Sequence, residues 1–167
     1  MEVIAAAATV TKPILYRTVG DRDALVAALA EIVIDRINDA AAAAIAKARS
    51  PRTRLRALIA AYTEVVDNNR NLYLFVIAGG ASVDRVSQLL RLADRSAIPL
   101  AHRIAAQRAA GGADPDVALT WAFGVIGTLQ FSTLWWLRDG QISANQLVEH
   151  ITELLWFGVG GAGRVRP

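Results

Sequence analysis

The segment VTKPILYRTVGDRDALVAAL, residues 10–29, concentrates side chains that can bind an anion. Thr11 and Lys12 lie at the predicted N-terminus of a short helix, and Tyr16 and Arg17 follow one turn later. Arg22 opens the next predicted helix. Unpaired N–H groups at a helix start, together with nearby cations, favour binding of phosphate. The chemistry that these residues predict is therefore the binding of a phosphate-bearing polyanion.

The spacing of these residues also predicts a helix-turn-helix. A short helix over residues 2–8 is followed by a tight turn and a second short helix from Lys12 to about Thr18, with Pro13 in its first turn. In a helix-turn-helix the second helix enters the major groove of DNA, while neighbouring polar side chains contact phosphates. The alternative is a capped surface turn with ordinary charges, and the spacing alone favours neither.

A search for catalytic patterns finds none. The two histidines, His102 and His150, lie in helical patterns without carboxylates at metal-binding spacing. Nucleophile-elbow, phosphate-loop and dinucleotide patterns are absent from the sequence, and it contains no cysteine. We therefore expect neither an enzyme nor a bound metal or cofactor. The lack of cysteine and of a signal-peptide pattern is typical of a cytoplasmic protein.

Length and composition indicate one domain, or one large domain with a small appendage. The chain has 167 residues, of which 54% are hydrophobic, and this length is sufficient for a core without metal or disulfide support. The formal net charge is +3, an excess that permits a nucleic-acid partner without requiring one.

Helix start and stop signals are dense and strand signals almost absent, which predicts an all-α fold. Asp21, Ser50 and Ser143 are typical helix N-caps, and Ser143 forms a capping-box pattern with Gln146. Pro99 is expected to kink or locally unwind its helix. The predicted helices cover residues 2–8, 12–18, 22–48, 51–68, 71–78, 82–110, 115–138 and 143–157, and residues 158–167 are predicted to be a disordered tail.

The uncharged run from Val117 to Leu137 is long enough to be a candidate transmembrane helix. Several hydroxyl and amide side chains interrupt it, however, so a soluble helix buried on most of its faces is the favoured interpretation. Gly124, Gly127 and Thr128 would allow a second helix to approach closely. We therefore predict a two-fold dimer built from the helices at 115–138 and 143–157.

Aromatic residues cluster in predicted helices after residue 60, where they could line a ligand cavity. Such residues also build ordinary cores and interfaces, and that alternative remains open. A separate basic run, from Lys47 to Arg56, is interpreted as a solvated face. The predicted pocket residues are Tyr62, Tyr73, Phe75, Trp121, Phe123, Phe131 and Trp135, with Trp136 adjacent to them.

The stretch VTKPILYRTVGDRDALVAALAE resembles the signature of the TetR family of bacterial transcriptional regulators. The resemblance implies a DNA-binding head over residues 1–23 and a helical ligand-binding and dimerisation domain over residues 24–157. It also implies a homodimer that binds operator DNA and is released by a small apolar or amphipathic effector. The DNA-binding positions it implies are Thr11, Lys12, Pro13, Ile14, Tyr16, Arg17, Thr18 and Arg22.

Two departures from the family pattern carry expectations of their own. Thr9 stands where the turn usually has glycine, and a positive φ would strain it. The family's first helix has no counterpart before the signature, so we expect Val3, Ile4, Val10, Leu15 and Leu25 to lose apolar cover. Two alternatives to a DNA-binding repressor stay open: a small-molecule-binding dimer with impaired DNA binding, and a membrane-associated helical protein.

Overall fold

The computed structural model of the chain describes residues 1–78 and 85–158. These residues form eight α-helices and contain no strand, which confirms the predicted all-α class. The helices are α1 (Glu2–Ala7), α2 (Lys12–Val19), α3 (Arg22–Lys47), α4 (Pro51–Asn68), α5 (Arg70–Ala78), α6 (Arg85–Ala110), α7 (Ala118–Asp139) and α8 (Ala144–Phe157).

Side-chain caps fix the starts of the long helices largely as predicted. The Asp21 carboxylate accepts a hydrogen bond from the Ala24 N–H at 2.8 Å. Ser50 and Ser143 each form a reciprocal capping box, with Thr53 and Gln146 respectively. Thr11 occupies the N-cap position of α2, but its side chain makes no capping hydrogen bond. The start of α2 therefore depends more on Pro13 in the first turn than on a hydroxyl cap.

Two helix boundaries differ from the prediction. Helix α7 begins at Ala118 rather than beside Pro115, because the Asp114 carboxylate accepts a hydrogen bond from the Asp116 N–H at 2.9 Å. Such a local bond competes with helix formation and holds these residues in a turn. Helix α6 continues through Pro99 as one segment, so the expected local unwinding does not occur. The predicted helix start at Ser82 and the predicted disorder of residues 159–167 lie outside the described residues.

One apolar core holds α3, α4, α5, α7 and α8 together. Ile59 and Val66 are completely buried, and Leu129 is 1% exposed. Trp136 also belongs to this core rather than to a pocket, and its indole N–H donates to the Ile142 carbonyl at 2.7 Å. The buried members are Val33, Ile37, Ile59, Tyr62, Val66, Tyr73, Leu129, Trp136, Leu137, Leu147, Val148 and Ile151.

A second, smaller cluster joins α6 to α7 through small side chains. Ala97 and Ala101 of α6 pack against Ala118 and Ala122 of α7. Because alanine ends at Cβ, the two helices can approach closely here. None of the helices within residues 1–78 and 85–158, α7 included, is both long and apolar enough to cross a bilayer.

Helices α1 and α2 form a small head that packs on the start of α3. Leu15 and Leu25 are buried at 8% and 9% exposure, so the expectation that they lose apolar cover is wrong. They remain covered because α2 packs against α3. Val3, Ile4 and Val10 are exposed, as expected, and Val3 is the most exposed at 81%.

Candidate functional site

Helix α2 presents a continuous solvent-facing surface made of the residues that the sequence nominated. Its single buried residue is Leu15, and the helix packs against both α1 and α3. Ile14 and Tyr16 are 41% and 48% exposed despite their apolar rings and chains. All eight predicted DNA-contact positions are exposed: Thr11, Lys12, Pro13, Ile14, Tyr16, Arg17, Thr18 and Arg22. Whether they contact DNA stays a prediction.

Tight turns on either side orient α2. Thr9 has φ of 56°, a left-handed conformation that is unfavourable for a β-branched residue, as the sequence predicted. The Val10 N–H donates to the Ala5 carbonyl at 3.0 Å and closes the turn. At the other end Gly20 has φ of 77°, and a Cβ there would come within 3.0 Å of Ala24. The conformation and the close approach both require glycine at this position.

Hydrogen bonds and ion pairs occupy few of the polar groups on this surface. Lys12 pairs with Glu2 at 2.8 Å, and both side chains are largely exposed. An exposed pair of this kind contributes about 0–1 kcal/mol, so a phosphate can replace the carboxylate at little cost. The Thr18 hydroxyl donates to the Ile14 carbonyl at 2.8 Å, which leaves its oxygen as an acceptor. Tyr16, Arg17 and Arg22 have no side-chain partner among the described residues.

Helix α3 runs from this head along the wall of a partly open cavity. Its 26 residues correspond to about 39 Å at 1.5 Å per residue. Arg22 lies at its first position, while Val33, Ile37 and Ala41 line the cavity further along. The cavity has a volume of about 150 Å³ and lies between α3, α4, α5, α6 and α7. One rigid element therefore joins the polar surface to the cavity.

The cavity wall is mainly aliphatic, with a buried tyrosine pair on one side. The hydroxyls of Tyr62 and Tyr73 lie 2.6 Å apart, and the rings pack edge to face with centroids at 6.4 Å. Burial raises the pKa of Tyr73 to about 12 and also raises the pKa of Tyr62. Both phenols are therefore neutral at pH 7, and they join α4 to α5 by a hydrogen bond that leaves neither oxygen unsatisfied.

Polar contacts connect α3 to α6 beside the cavity. Arg95 pairs with Glu31 at 3.2 Å and with Asp35 at 2.9 Å. One turn away, the Ser96 hydroxyl donates to the Asn38 side-chain oxygen at 3.1 Å. Asn38 and Ser96 both line the cavity, so a group entering there would act on the α3–α6 contact.

A second, more open cleft of about 520 Å³ lies next to the cavity. The two share Ile45, Leu58, Leu100 and Arg103 as a common wall. Arg54 also lines the cleft, although the basic run that contains it was interpreted as a solvated face. Two cationic side chains thus lie around an otherwise largely apolar depression.

The predicted pocket aromatics divide into two groups. Tyr62 and Tyr73 line the cavity. The structure places the other five elsewhere: Phe75 is half-buried outside the lining, Phe123 packs against the alanine cluster of α6 and α7, and Trp121, Phe131 and Trp135 are 52%, 74% and 45% exposed. The large rings were conspicuous in the sequence, but it is the aliphatic face of α3 that forms much of the cavity wall.

Those exposed aromatics share one face of α7. Trp121, Gly124, Thr128, Phe131 and Trp135 follow the alternating three- and four-residue spacing of a helix–helix contact seam. Gly124 lies in the open, because a Cβ built there meets no atom within 4 Å. We call this row the outer face of α7. It combines large apolar ends with a flat centre. The Arg108 guanidinium of α6 lies over the Trp121 ring at 4.6 Å from its centroid, whereas Phe131 and Trp135 are 74% and 45% exposed.

Sequence reasoning overlooked the aliphatic residues of α3 and the arginine at the common wall. The sequence shows that α3 is rich in alanine and isoleucine. Its hydrophobic period, however, does not distinguish one apolar face of the helix from the others. Arg103 lies in a helix with several other arginines, so nothing in the sequence distinguished it.

An all-α chain with two short helices, joined by one long helix to a helical domain that contains a cavity, has the architecture of a helix-turn-helix transcriptional regulator. The family model of the tetracyclin repressor-like C-terminal domain matches residues 40–165, about three quarters of the chain. The chain belongs to the TetR family of transcriptional regulators.

Individual relatives agree with this assignment. An uncharacterized helix-turn-helix transcriptional regulator from Mycobacterium tuberculosis is 27% identical over 165 residues, covering 96% of this chain and 69% of that protein. A TetR-like regulator from a Rhodococcus species has the same fold, with a TM-score of 0.69, 23% identity and coverage of 96% of this chain and 84% of its own. The TetR-family regulator PfmR from Thermus thermophilus has a TM-score of 0.67 at 19% identity, covering 93% and 86%.

Proposed function

We propose that this protein is a cytoplasmic repressor that binds operator DNA as a homodimer and is released by a small apolar or amphipathic effector. Residues 1–23 form the DNA-binding head, and residues 24–157 form the effector-binding and dimerisation domain. The observation that carries the proposal is helix α3, which has Arg22 at one end and lines the cavity over its middle.

The exposed surface of α2 supports DNA binding. Lys12, Arg17 and Arg22 provide three cations around one short helix, and the Tyr16 hydroxyl adds a phosphate donor. The Thr11 side chain is free of a capping bond, so its hydroxyl is available to a base edge or a phosphate. Ile14 offers an apolar contact of the kind that reads a thymine methyl group.

The outer face of α7 supports the homodimer. An exposed apolar row of this size is uncommon on a monomer and marks an interaction surface. Its flat centre at Gly124 and Thr128 allows the same helix of a second copy to cross closely, and the aromatic rings at its two ends can then pack around the crossing. A two-fold arrangement would place the two α2 helices on one face of a DNA duplex, about one turn or 34–36 Å apart.

Coupling between effector and DNA would pass through α3 and its contact with α6. An effector that fills the cavity and shifts α3 relative to α6 changes the spacing of the two heads. The change in operator affinity cannot exceed the preference of the effector for one head spacing over the other.

The test begins with selection of a preferred duplex from a random double-stranded DNA pool. The dissociation constant is then measured against salt concentration for the protein and its variants. Arg17→Gln and Arg22→Gln should each weaken binding and lower the salt slope by about one, the signature of one lost phosphate contact. Arg49→Gln is the matched control, since Arg49 is an exposed arginine on the loop after α3 and far along the chain from the head.

Equal losses from all three variants, or a salt-independent affinity, would contradict DNA binding through α2. If the protein binds small apolar compounds but no duplex from the pool, the alternative of a small-molecule-binding dimer with impaired DNA binding replaces the repressor.

A further inference from the structure

The charges around the cavity indicate the chemical class of the effector. Among the described residues, neither the cavity nor the adjacent cleft has an acidic residue in its lining. Arg103 lines both, and Arg54 lines the cleft. An apolar depression whose charges all have one sign favours a ligand with an apolar body and a charge of the opposite sign.

Arg103 is free to receive such a charge. Its guanidinium forms no ion pair or hydrogen bond with any described residue, whereas Arg95 and Arg108 on the same helix are both engaged. A guanidinium can bind a carboxylate through two parallel N–H···O hydrogen bonds, which is stronger and more directional than a single contact.

Most polar groups of the cavity wall are already paired. The Tyr62 and Tyr73 hydroxyls bond to each other, and Asn38 bonds to Ser96. The Gln130 amide also lines the cavity and has no hydrogen-bond partner among the described residues, so it can receive one polar group. Any further polar group inside would have to break one of the existing bonds or stay unpaired, at a cost of about 1–3 kcal/mol. The part of the ligand that occupies the cavity is therefore mainly apolar.

The two volumes set the size of the ligand. A cavity of about 150 Å³ accommodates a group near the size of benzene or a short alkyl chain. The cleft, at about 520 Å³, has room for a head group and its hydration. Because Ile45, Leu58, Leu100 and Arg103 border both, a chain that passes between them brings its polar end to Arg103.

We infer that the effector is an amphipathic carboxylate, with an alkyl or phenylalkyl body in the cavity and its carboxylate on Arg103. This inference rests on the proposed function, since it names the ligand of the same cavity. The regulator would then respond to an anionic metabolite with an apolar chain, and not to a cationic or neutral compound of the same length.

The experiment uses three probes of equal chain length: octanoate, 1-octanol and octylamine. Calorimetric titration of the full chain should give the order octanoate, octanol, octylamine, with octanoate up to about fivefold tighter than octanol, because Arg103 is exposed and an exposed ion pair is worth about 1 kcal/mol at most. Arg103→Gln should remove the preference for octanoate and leave octanol within about twofold of its original affinity. Arg49→Gln, the exposed control, should change neither.

A second variant tests whether the apolar part of the ligand lies in the cavity. Ala93→Leu places three extra carbons against the cavity, because Ala93 is a half-buried lining residue of α6. It should weaken the binding of all the probes that bind the parent by a similar factor, whereas Arg103→Gln affects only the anion. Circular dichroism of both variants checks that the helices are retained.

The outcomes separate the inference from the function on which it rests. If octanol binds as tightly as octanoate, or if Arg103→Gln still prefers octanoate, the carboxylate inference is wrong. If either probe nevertheless releases the DNA, the proposed function stands. If carboxylates, alcohols and amines of four to ten carbons all leave operator affinity unchanged, both the inference and the effector-release function are wrong.

Discussion

Replacing Phe131 by serine should weaken self-association of this regulator more than it affects the folding of one subunit. Phe131 is 74% exposed at the middle of α7, so its ring contributes little to the core of its own chain. A phenylalanine buries about 150–250 Å², and at about 25 cal/mol per Å² covering the exposed part is equivalent to at most about 3–5 kcal/mol per copy. Two-fold symmetry removes two such rings from one interface.

Buried area converts incompletely into affinity, because association also orders side chains and removes rigid-body freedom. Even about 2 kcal/mol from the pair of rings would raise the dimer dissociation constant about 30-fold. Sedimentation equilibrium across a concentration series measures this constant directly. Ile98→Ser is the matched control, since Ile98 is a similarly apolar side chain, 45% exposed, on α6.

A second variant on the same face gives effects of opposite sign. Gly124→Leu should stabilise the separate subunit by up to about 1 kcal/mol, because leucine forms helix better than glycine and a Cβ at this position meets nothing. The same side chain should block close approach of a second α7 and dissociate the dimer. The reasoning fails if the parent is monomeric at micromolar concentration, or if Phe131→Ser and Ile98→Ser change self-association equally.

Three further predictions concern buried polar groups. Thr133 has a buried hydroxyl without a partner among the described residues, so Thr133→Val should raise the free energy of unfolding by about 1 kcal/mol. Thr152→Val should lower it, because the Thr152 hydroxyl donates to the Val148 carbonyl at 2.7 Å. Urea unfolding compares the two variants, and equal effects would contradict this. Tyr62→Phe or Tyr73→Phe alone should cost about 1–3 kcal/mol, and the double variant should cost less than the sum of the two, as measured by a double-mutant cycle. The contribution of Tyr73 to stability should not change with pH up to about pH 10 and should be lost between pH 10 and 12, because its folded pKa is raised to about 12. Denaturant titrations across this alkaline range check this, and Tyr73→Phe should flatten the decline.

The helix boundaries were predictable because they depend on local chemistry. Asp21 and Ser143 cap the helices that the sequence assigned to them, since an N-cap needs only its own side chain and the next few N–H groups. The error at α7 has the same local origin. The Asp114 side chain bonds two residues ahead, which makes a turn where a helix start was expected.

The head was predicted better than the cavity, and the reason is again the range of the interactions. Exposure of Lys12, Tyr16 and Arg17 follows from one amphipathic helix with Leu15 facing inward. A cavity, in contrast, depends on how five helices are placed relative to one another. Neither propensity nor hydrophobic period carries that information.

Only Tyr62 and Tyr73 of the predicted pocket aromatics line this cavity, because a cavity is defined by the side chains that are too short to fill it. Ala30 and Ala41 of α3 and Ala93 of α6 end at Cβ where longer side chains would close the space. Arg95 holds α6 on α3 from outside, so the helices do not collapse into the gap. Large rings such as Phe131 and Trp135 would fill a 150 Å³ space, and they lie instead on the outer face of α7, where a second subunit can cover them. In an alanine-rich helical chain, pocket positions should therefore be sought first among small residues that face one another across three or more helices, and aromatic rows should first be tested as interfaces.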